Sequence, residues 1–252
     1  MLGKVMAAVG IGNTKVDAVL ESDTVRAGET LIGKIHLQGG NVSQDLSALH
    51  LDLVSYVEKE VDDETVKVPH TWATLPISEP MTVEPGDTLS IDFEIPMPLL
   101  APLPIGRQQP KTWLATRADV AMAIDPRDRD ALSIQPGDIH QAVLGAMERL
   151  GFTLTEAPLK AWKMNALTGC VQEFEFKPRR GAGFDHLDEV EVAFLPSAGG
   201  VLDILVKRDT KARGLGSMFA EMTGMDEIFS RLTLREGMTT SDVQESLQQV
   251  LR

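Results

Sequence analysis

The first half of the chain alternates hydrophobic and polar residues in short runs that turn sequences separate. The clearest runs are Leu31–Leu37 and Leu89–Ile95, in which every second residue is apolar or glycine. Because side chains along a β-strand point alternately to opposite faces, this period of two predicts strands with one buried face. Pro85-Gly86 is typical of a type II turn, and Val61–Thr65 is typical of a hairpin tip. Short strands at this turn spacing predict an antiparallel β-sandwich between residue 13 and about residue 134.

The second half of the chain combines further strands with a helix. An apolar stripe of helical period follows the break at Gln135–Asp138, where Asp138 is expected to be the N-cap and Gln141 its capping-box partner. Gly151 is expected to end this helix. Further strands are predicted at 152–154, 171–176, 190–195, 201–206 and 232–234.

Three shorter segments also carry a helical stripe, at residues 2–9, 215–223 and 242–251. Ser241 and Gln244 are expected to form a capping box on the last of these helices. The sequence therefore predicts an all-β fold of two tandem sandwich domains, 1–134 and 135–252. Short helices are expected at both termini and at the start of the second domain.

Charge and composition narrow the class of protein. The formal net charge is −13 and the pI is near 4.8, so the global field repels nucleic acid and anionic lipid, and neither is expected as a partner. No run approaches the ~18 consecutive apolar residues of a membrane span, so no integral membrane contact is expected. Cys170 is the only cysteine and the N-terminus lacks a clear secretory signal. The expected location is therefore the reducing cytoplasm.

The motifs of common enzyme sites are missing from the sequence. It contains no G-x-S-x-G, H-E-x-x-H or C-x-x-C pattern, and its glycine pairs lack the spacing of phosphate or dinucleotide loops. Its histidines do not pair with another histidine or a cysteine at metal-ligand spacing. The acidic run 62–64 lacks the EF-hand pattern and is interpreted as a solvated hairpin tip. No catalytic, cofactor-binding or metal-ligating residue and no cofactor are predicted, and the chain is not expected to be an enzyme.

A dense charge run stands near the predicted domain boundary. It comprises Asp125, Arg127, Asp128, Arg129 and Asp130. Its alternating signs and its proline favour a connector, followed by a short strand at 131–134. Such charges can form a buried ion-pair network that clasps two domains, in which losing one partner costs ~3–5 kcal/mol. They can also form an exposed loop in which each pair contributes at most ~1 kcal/mol. The sequence leaves both interpretations open.

A methionine-rich stripe is the second candidate site. It comprises Arg213, Gly214, Leu215, Gly216, Met218, Phe219 and Met222. Because methionine side chains adapt to several partners, an exposed stripe of this kind suits protein binding. A stripe at helical spacing is also typical of a buried core. The basic run Lys207–Arg213 before it is typical of a solvated strand end or of a surface that steers an acidic partner.

Several short motifs follow one another along nearly the whole chain. They are Gly10-Ile-Gly12 with Lys15-Val16-Asp17, Ser78-Glu79-Pro80 with Pro85-Gly86, Asp125-Pro126 with Asp128-Arg129-Asp130, Ala142-Val143-Leu144, Leu150-Gly151-Phe152, 171–176, Leu187-Asp188-Glu189, Phe194-Leu195-Pro196, Arg213–Gly216 and Gly224–Glu227. In this order they resemble the bacterial sporulation-control protein family (sporulation stage zero protein M).

The resemblance implies an arrestin-like fold for both sandwich domains and a non-catalytic regulatory role. Members of this family look like negative regulators of sporulation entry that are tied to cell-division and cytoskeletal proteins. The chain is therefore expected to be a regulatory adaptor or scaffold with such protein partners. The resemblance also places the Asp125–Asp130 and Arg213–Gly216 motifs at matching positions, and it implies no catalytic or cofactor residue.

Alternative functions stay open at this point. The charges at 125–130 and His140 can converge in an inter-domain cleft, which suits a small-ligand binder or an enzyme. The helix at 2–9 can lie on a membrane surface, although Lys4 is its only basic residue. The short apolar-striped helices at the chain ends also predict self-association as a homodimer, through a terminal helix or a sheet edge.

Overall fold

The computed structural model describes residues 14–62, 64–107, 109–120, 127–165, 167–210 and 229–252. Within these ranges the chain consists mainly of β-strands together with two helices, so the predicted all-β class is confirmed. The helices predicted at 2–9 and 215–223 lie outside the described residues. We use "first half" for residues up to Gln135 and "second half" for residues from Asp138 onward.

Strands make up most of the first half. Within the described residues they are β1 (Lys15–Leu20), β2 (Thr24–Arg26), β3 (Thr30–Gln38), β4 (Gln44–Val61), β5 (Glu64–Ser78), β6 (Met81–Val83), β7 (Thr88–Pro96), β8 (Thr112–Val120) and β9 (Arg127–Gln135). β1, β3 and β7 form a three-stranded antiparallel sheet. The larger sheet is built around β4, which pairs with β5, β6 and β8, while β9 and then β2 continue beyond β8.

The alternation in the sequence decides which face of each strand is buried. Along β3, Leu31, Gly33, Ile35 and Leu37 are buried, while the residues that alternate with them face solvent. The long hairpin of β4 and β5 turns at Asp62, which has a positive φ of 50°. The turn at Pro85-Gly86 is confirmed, because Gly86 has a φ of 80° and the Asp87 N–H donates to the Glu84 carbonyl at 3.1 Å. Local sequence signals thus position most of the first half.

The second half contains one extended sheet and both described helices. Its elements are α1 (Asp138–Arg149), β10 (Phe152–Glu156), β11 (Leu159–Ala161), β12 (Cys170–Pro178), β13 (Leu187–Pro196), β14 (Leu202–Thr210), β15 (Phe229–Leu234) and α2 (Thr240–Val250). β12 to β15 pair in chain order, and β10 and β11 pair with β12. β11 also meets β4 through the parallel partners Lys160 and Glu58. The two halves therefore share one continuous path of strands.

The predicted N-cap of α1 is wrong by one residue. Gly137 occupies the N-cap without any side-chain cap, and Asp138 is the first helical residue. The Asp138 carboxylate instead pairs at 2.8 Å with the guanidinium of Arg26, the last residue of β2, so a contact that is distant in sequence takes the place of a cap. Gly151, with a φ of 92°, follows the end of this helix as predicted.

The predicted capping box of α2 is also displaced. The helix begins at Thr240, and the box is formed by Thr239 and Asp242 rather than by Ser241 and Gln244. The Thr239 hydroxyl accepts from the Asp242 N–H at 3.3 Å, and the Asp242 carboxylate accepts from the Thr239 N–H at 2.7 Å. Both candidate pairs have suitable residue types, and the extended backbone at Thr239 selects the earlier one.

The helices complete the core of the second half. Gly145 of α1 lies against Thr240 of α2, where a Cβ on the glycine would come within 3.2 Å of the threonine methyl. The apolar stripes of both helices are buried, including Val143 and Met147 in α1 and Val243 and Leu247 in α2. These side chains belong to one hydrophobic cluster that also includes the core of the first half. The division into domains 1–134 and 135–252 stays a prediction, with its boundary at the end of β9.

Candidate functional site at the junction of the two halves

The segment after β7 carries the first half into contact with the second. Gln172 of β12 is buried and uses its whole side-chain amide there. Its Oε1 accepts from the Leu103 N–H at 2.8 Å, and its Nε2 donates to the carbonyls of Leu103 at 2.7 Å and Ala157 at 2.9 Å. Gly106 has a φ of 78° and lies so close that a Cβ would come within 2.9 Å of the Ala157 nitrogen. The junction is therefore closely packed at this point.

His140 lies inside the junction on the first turn of α1. Its side chain is 2% exposed, and its ring packs against Phe194 with a centroid distance of 4.7 Å. Burial lowers the pKa of His140 to about 4, although a hydrogen bond with the Leu99 backbone acts in the opposite direction. His140 is thus a neutral packing residue at neutral pH, and the cavity that it lines includes none of the described charges at 128–130.

A small cavity lies beside His140. Its volume is about 20 Å³, which is room for roughly one water molecule. Cys170 and Asn165 line it, and burial raises the pKa of the Cys170 thiol to about 11. Because the thiolate is the reactive form of cysteine, Cys170 is not activated for nucleophilic chemistry here.

An open groove of about 680 Å³ crosses the surface of the junction. Five separate parts of the fold form it: the end of β2 with the turn after it, the segment after β7, the start of α1, the residue before β14, and the loop between β15 and α2. Half-buried or buried apolar side chains form its floor, namely Leu99, Ile139, Val201 and Met238. A volume of this size lies within the range of ordinary ligand pockets.

Charged side chains line the rim of this groove. They are Arg26, Glu29, Asp138 and Glu236. Arg26 lies between two of the carboxylates, 2.8 Å from Asp138 and 3.6 Å from Glu29. The side chain of Asp138 is nevertheless 94% exposed, so its remaining carboxylate surface faces solvent. With three carboxylates and one guanidinium, the rim has an excess of negative charge.

The described clasp residues, Arg127 to Asp130, lie in a strand, so the prediction of a connector there is wrong. β9 begins at Arg127 rather than at 131, and Arg127 to Asp130 pair with β8. Long-range pairing with β8 outweighs the local charge pattern. Asp125 lies outside the described residues, and of Arg127 only the backbone is described.

The described clasp residues meet partners in the first half. The Asp128 carboxylate accepts from the Ala18 N–H at 2.9 Å, and the Arg129 guanidinium lies 5.5 Å from the ring centroid of Trp113. Burial, together with the adjacent Asp128 carboxylate, raises the pKa of Asp130 to about 6. A clasp between the domains at these residues stays a prediction, and the contacts described here join strands of the first half.

The methionine-rich stripe lies outside the described residues, as does every candidate from Arg213 to Met222. The basic run before it is described as far as Lys207 and Arg208. The interpretation of Lys207 as part of a solvated strand end is wrong, because Lys207 is 1% exposed. Its ammonium lies 3.2 Å from Glu191 and 3.5 Å from Asp209.

Lys207 belongs to a buried group of charges that the sequence analysis did not find. We call it the outer charge cluster; its members are Lys160, Glu173, Glu175, Glu189, Glu191, Lys207 and Asp209. Cross-strand pairing places Glu191 between Glu175 and Lys207. The sequence does carry a signal for this cluster. Charged residues occupy every second position in parts of β12, β13 and β14, on the face opposite core residues such as Phe174 and Val192.

Burial changes the protonation of this cluster. It raises the pKa of Glu191 to about 7 despite the nearby Lys207 ammonium. Burial and the Glu189 carboxylate raise the pKa of Glu175 to about 7 as well. Within the described residues, one carboxylate oxygen each of Glu173, Glu191 and Asp209 is buried without a hydrogen-bond partner. The cluster therefore exchanges protons close to neutral pH.

The part of the chain that the structure describes offers neither a metal-ligand group nor a membrane-spanning helix. There, no group of three or more histidine, cysteine or acidic side chains is placed to hold a metal ion. Across the same residues, no helix combines the length and the apolarity needed to cross a membrane.

Known proteins match this chain over almost its whole length. The model of the Spo0M family, described as SpoOM protein, matches residues 2–212. The sporulation-control protein spo0M of Bacillus subtilis is 32% identical over 251 residues, which cover 98% of this chain and 96% of that protein. The crystal structure of Spo0M, sporulation control protein, from Bacillus subtilis matches with a TM-score of 0.82 and 31% identity, covering 96% of this chain and 98% of that one. The resemblance found in the sequence motifs is confirmed, and the chain belongs to the Spo0M family of sporulation-control proteins.

Proposed function

We propose that this chain is a non-catalytic regulatory adaptor that acts in the cytoplasm by binding other proteins. The observation that carries the proposal is the match over 98% of the chain to a protein named for the control of sporulation. The junction supports it, because the groove combines an apolar floor with a charged rim, as protein-binding surfaces do. The high pKa of the Cys170 thiol and the low pKa of His140 do not suit nucleophilic or acid–base catalysis at neutral pH.

The proposed partners are cell-division or cytoskeletal proteins, through which the adaptor acts on developmental or stress regulation. Affinity purification of the tagged chain from its own host, followed by mass spectrometry, tests this. We expect a specific protein to co-purify and then to bind the purified chain directly. Recovery of nothing beyond the bait, with and without gentle cross-linking, contradicts the adaptor function.

Self-association as a homodimer is part of the same proposal. The apolar stripe of α2 is buried within its own chain, with Val243 and Leu247 at 0% exposure, so this stripe is not free to form a dimer. The outer edge of β7 is a better candidate, because within the described residues β7 pairs only with β3. Light scattering that gives a monomer mass at every accessible concentration contradicts the dimer.

A small-ligand binder is the second candidate function. The volume of the groove favours it, because pockets for small molecules fall in the same range. A thermal-shift screen of metabolites against the purified chain tests it. A reproducible rise in Tm that disappears in the variant Val201→Trp supports a ligand in the groove, and a flat screen contradicts it.

A further inference from the structure

We infer that the groove at the junction binds a basic segment of a partner protein, with one apolar side chain of that segment on the groove floor. This inference rests on the adaptor function proposed above and names the site and the chemistry of the partner.

The distribution of polar groups favours a protein segment over a small molecule. Small-molecule sites usually hold a few polar groups that converge inside an enclosed pocket. In this groove the floor is formed by Leu99, Ile139, Val201 and Met238, while the charges stand on the rim. An extended segment can place an apolar side chain on such a floor and its flanking side chains on the rim, which is the usual arrangement of peptide recognition.

The charge of the rim selects a basic segment. Arg26 already pairs with Asp138 and Glu29, so the only cation among the rim residues is engaged. Glu236 contributes a further exposed carboxylate from the loop after β15. The rim therefore has two more negative than positive charges. An arginine or lysine on either side of the apolar anchor complements this charge, and an acidic segment is repelled.

Residues from both halves of the chain form the groove. Arg26 and Glu29 belong to the first half, whereas Ile139, Val201 and Glu236 belong to the second. β2 and β15, which end beside the groove, are the two terminal strands of the larger sheet's strand path. A segment bound here contacts both ends of that path at once, so its affinity depends on residues that lie far apart in the sequence.

Two matched synthetic peptides test the inference with the full chain. Each carries one central leucine, flanked by arginines in the first peptide and by glutamates in the second. Amide chemical shifts of the purified chain are followed during titration at low salt. We expect the basic peptide to perturb residues of the groove and the acidic peptide to leave them unchanged, and we expect added salt to weaken the binding.

Charge-reversal variants supply the control. The double variant Glu29→Lys/Glu236→Lys changes only exposed side chains, and circular dichroism verifies that it is folded. We expect it to bind the basic peptide about tenfold more weakly, because two exposed charge pairs are lost, and to gain affinity for the acidic peptide. Glu94→Lys, an exposed change on β7, should have no effect.

The inference is overturned if the basic peptide leaves the groove resonances unperturbed, or if both peptides bind the groove equally. It is also overturned if a partner recovered from the host binds Glu29→Lys/Glu236→Lys as tightly as the natural chain, and in that case the adaptor function stands. If the natural chain recovers no partner while the basic peptide still binds, the adaptor function fails and the groove chemistry stands.

Discussion

Gln172 belongs to the second half, but its side chain makes hydrogen bonds across the junction. Replacing it by leucine leaves the Leu103 N–H and the Ala157 carbonyl without their partner, whereas the Leu103 carbonyl keeps a hydrogen bond from the Ile105 N–H at 2.9 Å. Each orphaned polar group costs ~1–3 kcal/mol, so we expect Gln172→Leu to lower the free energy of unfolding by about 2–4 kcal/mol. Urea unfolding measures this loss. Gln141→Leu, an exposed glutamine on α1, is the matched control, and equal losses in the two variants contradict the bridging role.

His140 provides the second prediction at the scale of a single residue. Its pKa falls from 6.5 to about 4 on folding, so between these pH values the unfolded chain binds a proton that the folded chain does not. Stability is therefore lost as the pH falls through this window. Between pH 7.5 and pH 5, we expect the free energy of unfolding of the natural chain to fall by about 2 kcal/mol more than that of His140→Gln.

The measurement for His140 is urea unfolding of both proteins at several pH values. His36→Gln is the control, because His36 is an exposed side chain on β3. Parallel pH curves for the natural chain and His140→Gln show that burial does not suppress the charge of His140, and they contradict the prediction.

At the scale of elements, the outer charge cluster makes the sheet of the second half sensitive to pH. Glu191 has its pKa raised from 4.5 to about 7, so the folded chain holds a proton that the unfolded chain has released. The proton held by Glu191 stabilises the folded chain below pH 4.5, and this stabilisation is lost as the pH rises towards 7. The effect of His140 has the opposite sign, because stability is lost there as the pH falls.

Glu191→Gln isolates this effect, because glutamine imitates the protonated carboxyl group and does not titrate. Between pH 4.5 and pH 7.5, we expect the free energy of unfolding of the natural chain to fall by on the order of 3 kcal/mol relative to that of the variant. The measurement is the free energy of unfolding against pH, with the exposed Glu94→Gln as control. A difference between natural chain and Glu191→Gln that does not vary with pH refutes the assignment.

The capping box of α2 gives the second prediction at this scale. Thr239→Ala removes the hydroxyl that accepts from the Asp242 N–H, and it should cost about 1 kcal/mol. Ser241→Ala, at the residue that the sequence pattern favours as the cap, should cost clearly less. Thermal unfolding of the two variants separates them, and an equal or larger loss for Ser241→Ala contradicts the observed cap.

These elements show which parts of the fold the sequence could predict. The strands of the first half and the turn at Pro85-Gly86 follow from alternation and turn chemistry within a few residues, and they are confirmed. The caps were displaced by one or two residues, because neighbouring residues have similar capping ability and distant contacts such as Arg26 with Asp138 decide between them. The first four residues of β9, Arg127 to Asp130, were interpreted as a connector because their charge pattern is typical of one, and their pairing with β8 appears only in the folded chain.

The candidate site could not be predicted at the scale of elements, since it exists only in the whole molecule. The groove brings Glu29, Asp138 and Glu236 to one rim from positions separated by about a hundred residues each. No local pattern marks them, and the charges that the sequence emphasised, at 128–130, instead contact β1 and β8. The outer charge cluster could have been predicted from the sequence, because its charges repeat at every second residue along successive strands.

The whole molecule joins its halves through a shared hydrophobic cluster, the pairing of β4 with β11, and the hydrogen bonds of Gln172. Such a junction holds the walls of the groove in a defined arrangement. Because the site is already ordered, binding of a segment costs less free energy, and a modest contact area can then give a useful affinity. The adaptor function proposed for this Spo0M family member depends on this arrangement.

Site-specific photo-cross-linking in the native host tests the central claim most directly. A photoreactive phenylalanine analogue is placed at Val201 on the groove floor or, as a control, at the exposed Ile32 of β3. We predict a protein adduct at Val201, joined to a segment rich in lysine or arginine, and no such adduct at Ile32. The absence of an adduct at Val201, or equal adducts at both positions, would contradict the groove as the place where this chain binds its partner.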